Sequence, residues 1–310
     1  RDEEILRVTE ILCIRTKNNP VFVGDSGVGK TAIVQGIATK ICQKKVPSFL
    51  EDFVIYGLDV AALVAGAKFR GDFEERIRQI TNELIKQEKV ILFIDEIHSI
   101  VGSATPGSGN VDASNLLKPL LTNGKIRVIG ATTFDDFAKT FEKDKALCRR
   151  FQKIELKEPS SEEAVKILLG IKKSFEDFHK VEFTEEAIKA AVDLSVQYMT
   201  DTKLPDKAID ILDEAGAYAF IHRENNTEIV IDKKQIEKIV AKIAKVPIQA
   251  VTSNQKNKLQ NLEKELNSKV FGQEKAIFEI VKSIKRARAG FGGKDKPASI
   301  FLFVGSSGVG

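Results

Sequence analysis

The sequence of 310 residues predicts an α/β domain with a parallel sheet, followed by a smaller all-α domain. Three short apolar runs, at 20–23, 90–94 and 126–131, lack the in-and-out alternation of a strand with one wet face, and helical patterns separate them. Such runs are typical of parallel strands that helices cover on both sides. From residue 160 to about residue 245 we find helical patterns only, which predicts the second domain.

The composition excludes several classes of protein. Hydrophobic residues make up 43% and charged residues 30%, which is the balance of a globular chain. The net charge of +4 comes from interleaved charges of both signs, so neither a nucleic acid nor a membrane surface is an expected partner. No apolar run approaches the roughly 18 residues of a membrane helix. Three widely spaced cysteines and the lack of a signal-peptide pattern favour a cytoplasmic protein.

Local signals predict three regions along the chain. Residues 1–158 form the large α/β domain, in which apolar positions spaced by four and three predict an amphipathic helix over 72–87. Pro159 then precedes a capping box made by Ser160 and Glu163, which starts the helical domain of 159–245. Residues 246–310 are predicted to be a polar linker with one short helix and the start of a second module.

An internal repeat supports that last prediction. Residues 300–310 repeat 21–29 almost residue for residue, about 280 positions later. A repeat at that distance indicates a second copy of the first module. We therefore expect the chain to be a fragment of a longer tandem protein.

A phosphate-binding motif follows the first apolar run. Residues 24–31 match the pattern G-x-x-x-x-G-K-[ST] and lie between a predicted strand and a predicted helix. Its glycines let successive backbone N–H groups face phosphate oxygens, Lys30 adds positive charge, and Thr31 offers a hydroxyl to Mg²⁺. The residues predicted to bind the nucleotide are Gly24, Asp25, Ser26, Gly27, Val28, Gly29, Lys30 and Thr31.

The second apolar run ends in two acids, Asp95 and Glu96. Taken alone, such a pair is most often a solvated strand end. With a phosphate loop upstream, the functional interpretation is favoured: Asp95 binds Mg²⁺ through water, and Glu96 polarises the water that attacks the γ-phosphate.

Two further groups of residues stay open on local evidence. The third apolar run ends in Thr132 and Thr133. Two interpretations are open here: a hydroxyl that senses the γ-phosphate, or threonines that are ordinary strand residues. Arg149 and Arg150 are either a surface basic pair, which local evidence favours, or arginine fingers. His98 is expected to be a hydrogen-bonded packing residue.

Together these motifs resemble the Hsp100/Clp class of AAA+ ATPases, and most nearly its ClpA branch. The resemblance covers essentially the whole chain and includes the stretches 94–98, 130–133, 141–151 and 204–210. It implies ATP and Mg²⁺ as cofactors, Asp95 and Glu96 as the Walker B pair, and Thr133 as the sensor. It also implies that Arg149 and Arg150 complete the site of a neighbouring subunit in a homo-hexamer.

The resemblance further implies a pore loop that grips unfolded polypeptide, formed by Lys68, Phe69, Arg70 and Gly71. Local evidence alone favours a core position for Phe69. Residues 102–110 match a second pore loop. Pro205 and Lys207 are the candidates for contact between the helical domain and the nucleotide.

The implied function is that of an ATP-dependent unfoldase and translocase of a Clp protease. It threads protein substrates through a hexameric pore to a ClpP-type peptidase, with adaptor proteins as further partners. One alternative is a ClpB-like disaggregase without proteolysis, which the lack of a coiled-coil insertion between 204 and 270 disfavours. Another is an AAA+ nucleic-acid motor or loader, for which no basic channel is visible. A P-loop protein without turnover is disfavoured because Lys30, Thr31, Asp95 and Glu96 are all present.

Overall fold

A computed structural model describes residues 1–64, 70–101, 121, 126–142, 148–222, 229–246, 255–286 and 299–304. The chain divides into two compact units, Arg1–Val240 and Ala241–Gly310. The domain boundaries expected at 158–159 and 245–246 stay predictions.

The first unit contains a five-stranded parallel sheet with the strand order β2-β3-β4-β1-β5. Its strands are β1 Asn19–Val23, β2 Val54–Leu58, β3 Val90–Ile94, β4 Ile126–Thr132 and β5 Phe151–Glu155. The three predicted strands are confirmed as β1, β3 and β4. The two edge strands, β2 and β5, were missed: both are only partly buried, and polar residues also interrupt the apolar pattern of β5.

Helices cover both faces of this sheet. They are α1 Asp2–Cys13, α2 Lys30–Cys42, α3 Val60–Val64, α4 Arg70–Lys86, α5 His98–Val101 and α6 Phe134–Asp136. A 3₁₀ turn at Ser48–Leu50 and a π-helical turn at Phe137–Phe141 complete this part. The helix predicted over 72–87 is confirmed as α4, which buries Phe73, Ile77 and Leu84 against the sheet.

The burial of β1 shows why its sequence is continuously apolar. Val21 and Val23 belong to the core under α4, whereas Phe22 belongs to the core under α1 and α2. Neighbouring residues of a strand point to opposite faces, so both faces must be covered for all of them to be buried. All five residues of β1 are buried, as the fold class predicts.

The smaller domain is helical, as predicted. It consists mainly of α7 Ser161–His179, α8 Glu185–Tyr198, α9 Asp206–Ile221 and the beginning of α10 Lys233–Ile243. The capping box is confirmed: the Ser160 side chain accepts from the Glu163 amide, and the Ser160 amide donates to Glu163 Oε2 at 2.8 Å. One correction to the all-α prediction is a parallel pair of strands, β6 Val181–Phe183 and β7 Ile229–Ile231. Three residues a strand are too few to show a period in the sequence.

A buried histidine determines which residue α9 can carry at position 216. His179 is 6% exposed, and its Nε2 lies 2.7 Å from Asp213 Oδ1. A Cβ on Gly216 would lie 2.5 Å from Cδ2 of the His179 ring, which is closer than van der Waals contact allows.

We therefore expect Gly216→Ala to lower the free energy of unfolding by about 1–3 kcal/mol, because the ring must be displaced. The matched control is Gly170→Ala in α7, where an added Cβ meets no heavy atom within 4 Å. That control should raise stability by up to about 1 kcal/mol through helix propensity. Urea unfolding followed by circular dichroism measures both, and equal stabilities of the two variants contradict the expectation.

The second unit contains α11 Gln255–Lys269 and α12 Glu274–Arg286, which pack together. Ile277 and Val281 of α12 are buried. The helix predicted in the linker is therefore present and is 15 residues long. The repeated phosphate motif at 305–310 lies outside the described residues. Among the residues that are described, no helix has the length and apolar character needed to cross a bilayer.

Candidate active site

A cavity of about 700 Å³ opens between the carboxyl ends of the sheet strands and the helical domain. Parallel α/β sheets commonly bind ligands at this edge. The residues that line it come from the phosphate motif, from the ends of β2, β3 and β4, and from α7 and α9. The phosphate motif contributes Ser26, Gly27, Gly29, Lys30 and Thr31.

The backbone of the phosphate motif adopts the predicted loop. Gly27 and Gly29 have φ values of +80° and +92°, in the region that only glycine enters at low cost. Helix α2 begins at Lys30, so its first amide groups follow directly on the loop. A Cβ on Gly24 would lie 2.5 Å from the Leu156 carbonyl oxygen, which leaves no room for a side chain.

Lys30 is held within this loop. Its Nζ donates to the carbonyl oxygens of Gly24 and Asp25, both at 2.8 Å. Burial lowers the pKa of Lys30, while the carboxylates of Asp95, Asp25 and Glu96 act in the opposite direction. The ammonium is therefore a partly desolvated charge, which interacts strongly with an anion.

The other predicted members of the motif support the loop from the side that faces away from the cavity. Gly24 and Asp25 supply the carbonyls that hold Lys30, and neither lines the cavity. Val28 is 1% exposed and packs in the core with Ile33 and Ile37. The eight predicted residues thus form one structure, in which five face the cavity.

The acid pair meets the phosphate loop, as predicted. Thr31 Oγ1 donates to Asp95 Oδ2 at 2.8 Å, and the Glu96 amide donates to Asp95 Oδ1 at 3.0 Å. Glu96 has a φ of +47°, a conformation that costs a non-glycine residue of order 1–3 kcal/mol. The Ile97 amide donates to the Ala131 carbonyl at 3.0 Å, which ties this turn to β4. Both acids line the cavity.

The threonines at the end of β4 belong to one cluster of polar side chains. Thr132 Oγ1 is hydrogen-bonded to His98 Nδ1 at 3.1 Å, and Thr133 Oγ1 donates to Asp136 Oδ2 at 2.6 Å. The same Asp136 oxygen lies 3.6 Å from His98 Nε2. His98 is hydrogen-bonded, as expected, and it also lines the cavity with both threonines. Sequence reasoning missed Asp136, although its position three residues after Thr133 is typical of a capping pair.

The helical domain supplies an apolar wall that sequence reasoning missed. Pro205, a candidate for contact with the nucleotide, lines the cavity together with Ile167, Ile171 and Ile209. The four-residue spacing of Ile167 and Ile171 predicts one apolar face of a helix, and it does not indicate what that face contacts. Apolar walls with a few polar groups are typical of small-molecule sites.

Lys207 is a correction, because the structure does not bring it to the cavity. It is 5% exposed, and its Nζ donates to the Met199 carbonyl at 3.1 Å and lies 3.7 Å from Glu158 Oε1. Its neighbour Asp206 lines the cavity instead. Helix α9 begins at Asp206, and successive side chains of a helix point in different directions. Asp206 therefore faces the cavity, and Lys207 faces away from it.

The remaining predicted residues lie elsewhere. Arg149 is exposed and Arg150 is half-buried in the turn before β5, and neither lines this cavity. Arg70 and Gly71 are in the first turn of α4. Lys68, Phe69 and the second loop at 102–110 are outside the described residues.

The donors at the end of β3 fit a magnesium site of the phosphate-binding type. Within the described parts of the chain, no group of three or more His, Cys, Asp and Glu side chains could hold a metal. Mg²⁺ in such enzymes takes one or two carboxylates and completes its shell with phosphate oxygens and water. The hydroxyl of Thr31 and the carboxylate of Asp95, 2.8 Å apart, supply that kind of oxygen donor.

A phosphate loop before α2, a facing acid pair and a helical domain across the cavity define a nucleoside-triphosphatase of the P-loop type. Residues 20–159 match the family described as "ATPase family associated with various cellular activities (AAA)", and residues 160–268 match the AAA lid domain. A ClpA homolog protein of Fuscovulum blasticum is 49% identical over 310 residues, which are all of this chain and 39% of that protein. ClpE of Bacillus subtilis is 42% identical over an alignment of 358 residues, and the chain covers 51% of it.

The solved structures agree. The Hsp104–ADP complex of S. cerevisiae has a TM-score of 0.82 and 38% identity, over 96% of this chain and 50% of that one. The chain belongs to the AAA ATPases of the Clp/Hsp100 class. It spans about half or less of the length of these relatives.

Proposed function

We propose that the chain is the nucleotide-driven part of a ring-shaped protein unfoldase, which hydrolyses ATP to pull polypeptide through a central pore. The observation that carries this proposal is the cavity in which the phosphate loop, the acid pair and the helical domain meet. A domain that closes on a nucleotide moves when the nucleotide is hydrolysed, and such motion can do mechanical work.

The chemistry proposed for the cavity follows from its side chains. Lys30 and the amide groups of the loop bind the phosphates, and Thr31 and Asp95 hold Mg²⁺. The metal supplies charge neutralisation on the phosphate oxygens. Glu96 orients the attacking water and accepts its proton, and the strained backbone at Glu96 holds the carboxylate toward the cavity. Thr133 is the proposed sensor of the γ-phosphate.

A homo-hexameric ring is part of the proposal. Arg149 is exposed and Arg150 is half-buried, and neither reaches the cavity of its own chain, so both suit a role in a neighbouring subunit's site. An arginine finger supplied in this way accelerates phosphoryl transfer by about 10³–10⁵-fold.

Helix α3, which precedes the proposed pore loop in the sequence, begins at the cavity. Asp59, which lines the cavity, accepts from the Ala62 amide at 2.9 Å and so caps the start of that helix. The α4 residue Arg76 donates to the Leu63 carbonyl at 3.2 Å. The segment that carries Lys68 and Phe69 is therefore flanked by helices, one of which begins at the nucleotide cavity.

A ClpP-type peptidase and adaptors are the proposed partners, with a cytoplasmic location. The ClpE relative is called an ATP-binding subunit of an ATP-dependent Clp protease. The alignment with the ClpA homologue covers 310 residues, which is the length of this chain. The alignment with ClpE covers 358 residues, so ClpE has insertions relative to this chain. The lack of an insertion therefore favours the ClpA branch. Disaggregation without proteolysis is the second candidate, because one relative, ClpD of Arabidopsis thaliana with 39% identity, is called a chaperone protein.

The experiment compares Phe69→Ala with Phe69→Tyr in the protein that carries this sequence. Unfolding of a fluorescent substrate protein should fall by about tenfold or more in Phe69→Ala, because the apolar ring face is lost, and stay near normal in Phe69→Tyr. ATP hydrolysis should continue in both variants. Normal unfolding by Phe69→Ala would refute the proposed grip. A second measurement separates the two candidates. Degradation of the substrate after addition of a ClpP-type peptidase supports the protease unfoldase, and recovery of aggregated protein without a peptidase supports disaggregation.

A further inference from the structure

We propose that Glu158 is a positioning residue that holds the helical domain in place over the nucleotide cavity. It pairs with Lys203 and Lys207 of that domain, and Lys203 also pairs with Asp25 of the phosphate loop. This inference rests on the proposed nucleotide site. Glu158 does not line the cavity, so its effect on nucleotide binding would pass through the residues it holds.

Glu158 lies where the chain passes from the sheet to the helical domain. It follows β5 and precedes Pro159 and the capping residue of α7. A side chain at this position can make contacts with both parts of the unit. It is one third exposed, so its ion pairs are only partly screened by solvent.

The carboxylate of Glu158 contacts three groups of the segment 203–207. Oε1 accepts from the Leu204 amide at 2.9 Å and lies 3.7 Å from Lys207 Nζ. Oε2 lies 3.6 Å from Lys203 Nζ. The same segment contains Pro205 and Asp206, which line the cavity. One carboxylate therefore determines the position of the residues that close the cavity on this side.

Lys207 strengthens this link because it is buried. Its side chain is 6% exposed, and the contacts that hold its ammonium are the Met199 carbonyl and Glu158. A buried charge that loses its partner is strongly unfavourable. The beginning of α9 is thereby tied to Glu158.

Lys203 continues the link to the phosphate loop. Its Nζ lies 3.7 Å from Asp25 Oδ2, so it is shared between the loop and Glu158. A second contact lies beside it, since a Cβ on Gly27 would be 2.9 Å from the Cβ of Asp206. The helical domain thus contacts the loop at two places, and both belong to the segment that Glu158 holds.

The test measures the Kd of a fluorescent ATP analogue in Glu158→Gln, Lys203→Gln and the double variant. Glutamine keeps an acceptor for the Leu204 amide and removes only the charge. We expect each single substitution to raise the Kd by about fivefold, the range of a partly exposed ion pair. The effect of the double variant on the Kd should be smaller than the product of the two single effects, because the contact between Lys203 and Glu158 is lost in both single variants.

The matched control is Glu162→Gln, an exposed acid in the first turn of α7, which should leave the Kd unchanged. A folded Glu158→Gln protein with a lowered melting temperature and the normal Kd would overturn the inference, because it indicates a purely structural role. If Glu158→Gln does not fold, Lys203→Gln decides, since it leaves the Lys207 pair intact. Additive effects in the double variant also overturn it. Normal binding by Lys30→Met would instead refute the proposed nucleotide site.

Discussion

Replacing Glu96 with glutamine should lower the rate of ATP hydrolysis by about 10²–10⁴-fold, the usual contribution of a general base. Glutamine keeps the size of the side chain and cannot accept a proton from water. The hydrogen bonds of Asp95 to Thr31 and to the backbone amide of residue 96 remain available, so the nucleotide should still bind. The Kd for ATP is therefore expected to change by less than about threefold.

The measurements are steady-state phosphate release and equilibrium binding of a fluorescent ATP analogue, on the protein that carries this sequence. Asp135→Asn is the matched control. It removes an exposed acid near the end of β4 that does not line the cavity, and it should hydrolyse ATP normally. If Glu96→Gln hydrolyses ATP at the normal rate, Glu96 is not the general base and another group must act as the base.

Replacing Lys30 with methionine should weaken nucleotide binding itself. The substitution keeps an unbranched chain of similar length and removes the ammonium that the loop carbonyls hold. A hydrogen bond to a charged group contributes about 1.5–3 kcal/mol, so the Kd should rise by about 10–150-fold. Lys30 is half-buried, so its ammonium is partly desolvated and interacts more strongly with an anion than an exposed charge does.

Lys40→Met on the same helix is the control for Lys30→Met. Lys40 lies in the last turn of α2 and pairs with the exposed Asp2 at 3.0 Å, an interaction worth little at a surface. The Kd of Lys40→Met should stay within about twofold of normal. Equal nucleotide affinities in the two variants would contradict the assignment of Lys30. The two substitutions also have different signatures, since Glu96→Gln changes turnover and Lys30→Met changes binding.

The groups proposed for catalysis could be recognised in the sequence because each depends on a short stretch of chain. The glycines of the loop need a particular backbone conformation, and Lys30 must follow them directly at the start of a helix. Asp95 and Glu96 come at the end of a buried strand, which the apolar run before them indicates. Parallel strands bring their carboxyl ends to one edge, so the meeting of the loop with the acids also followed from the fold class.

Residues that act through distant contacts were harder to predict. Lys207 was assigned to the nucleotide because it lies in a recognisable stretch, but its ammonium is buried against Glu158 and the Met199 carbonyl. Asp206, one residue before it, faces the cavity. On a helix, neighbouring positions point about 100° apart, and the packing of the helix decides which side chain reaches a site.

By itself, the sequence determined the fold class, the phosphate loop and the acids that face it, because these depend on backbone conformation and on apolar runs within a few residues. Only the tertiary structure decided which isoleucines line the cavity, how His98 lies between Thr132 and Asp136, and how Lys203 pairs with both Glu158 and Asp25 of the loop. These contacts join residues separated by up to about 180 positions, and their geometry depends on how whole elements pack.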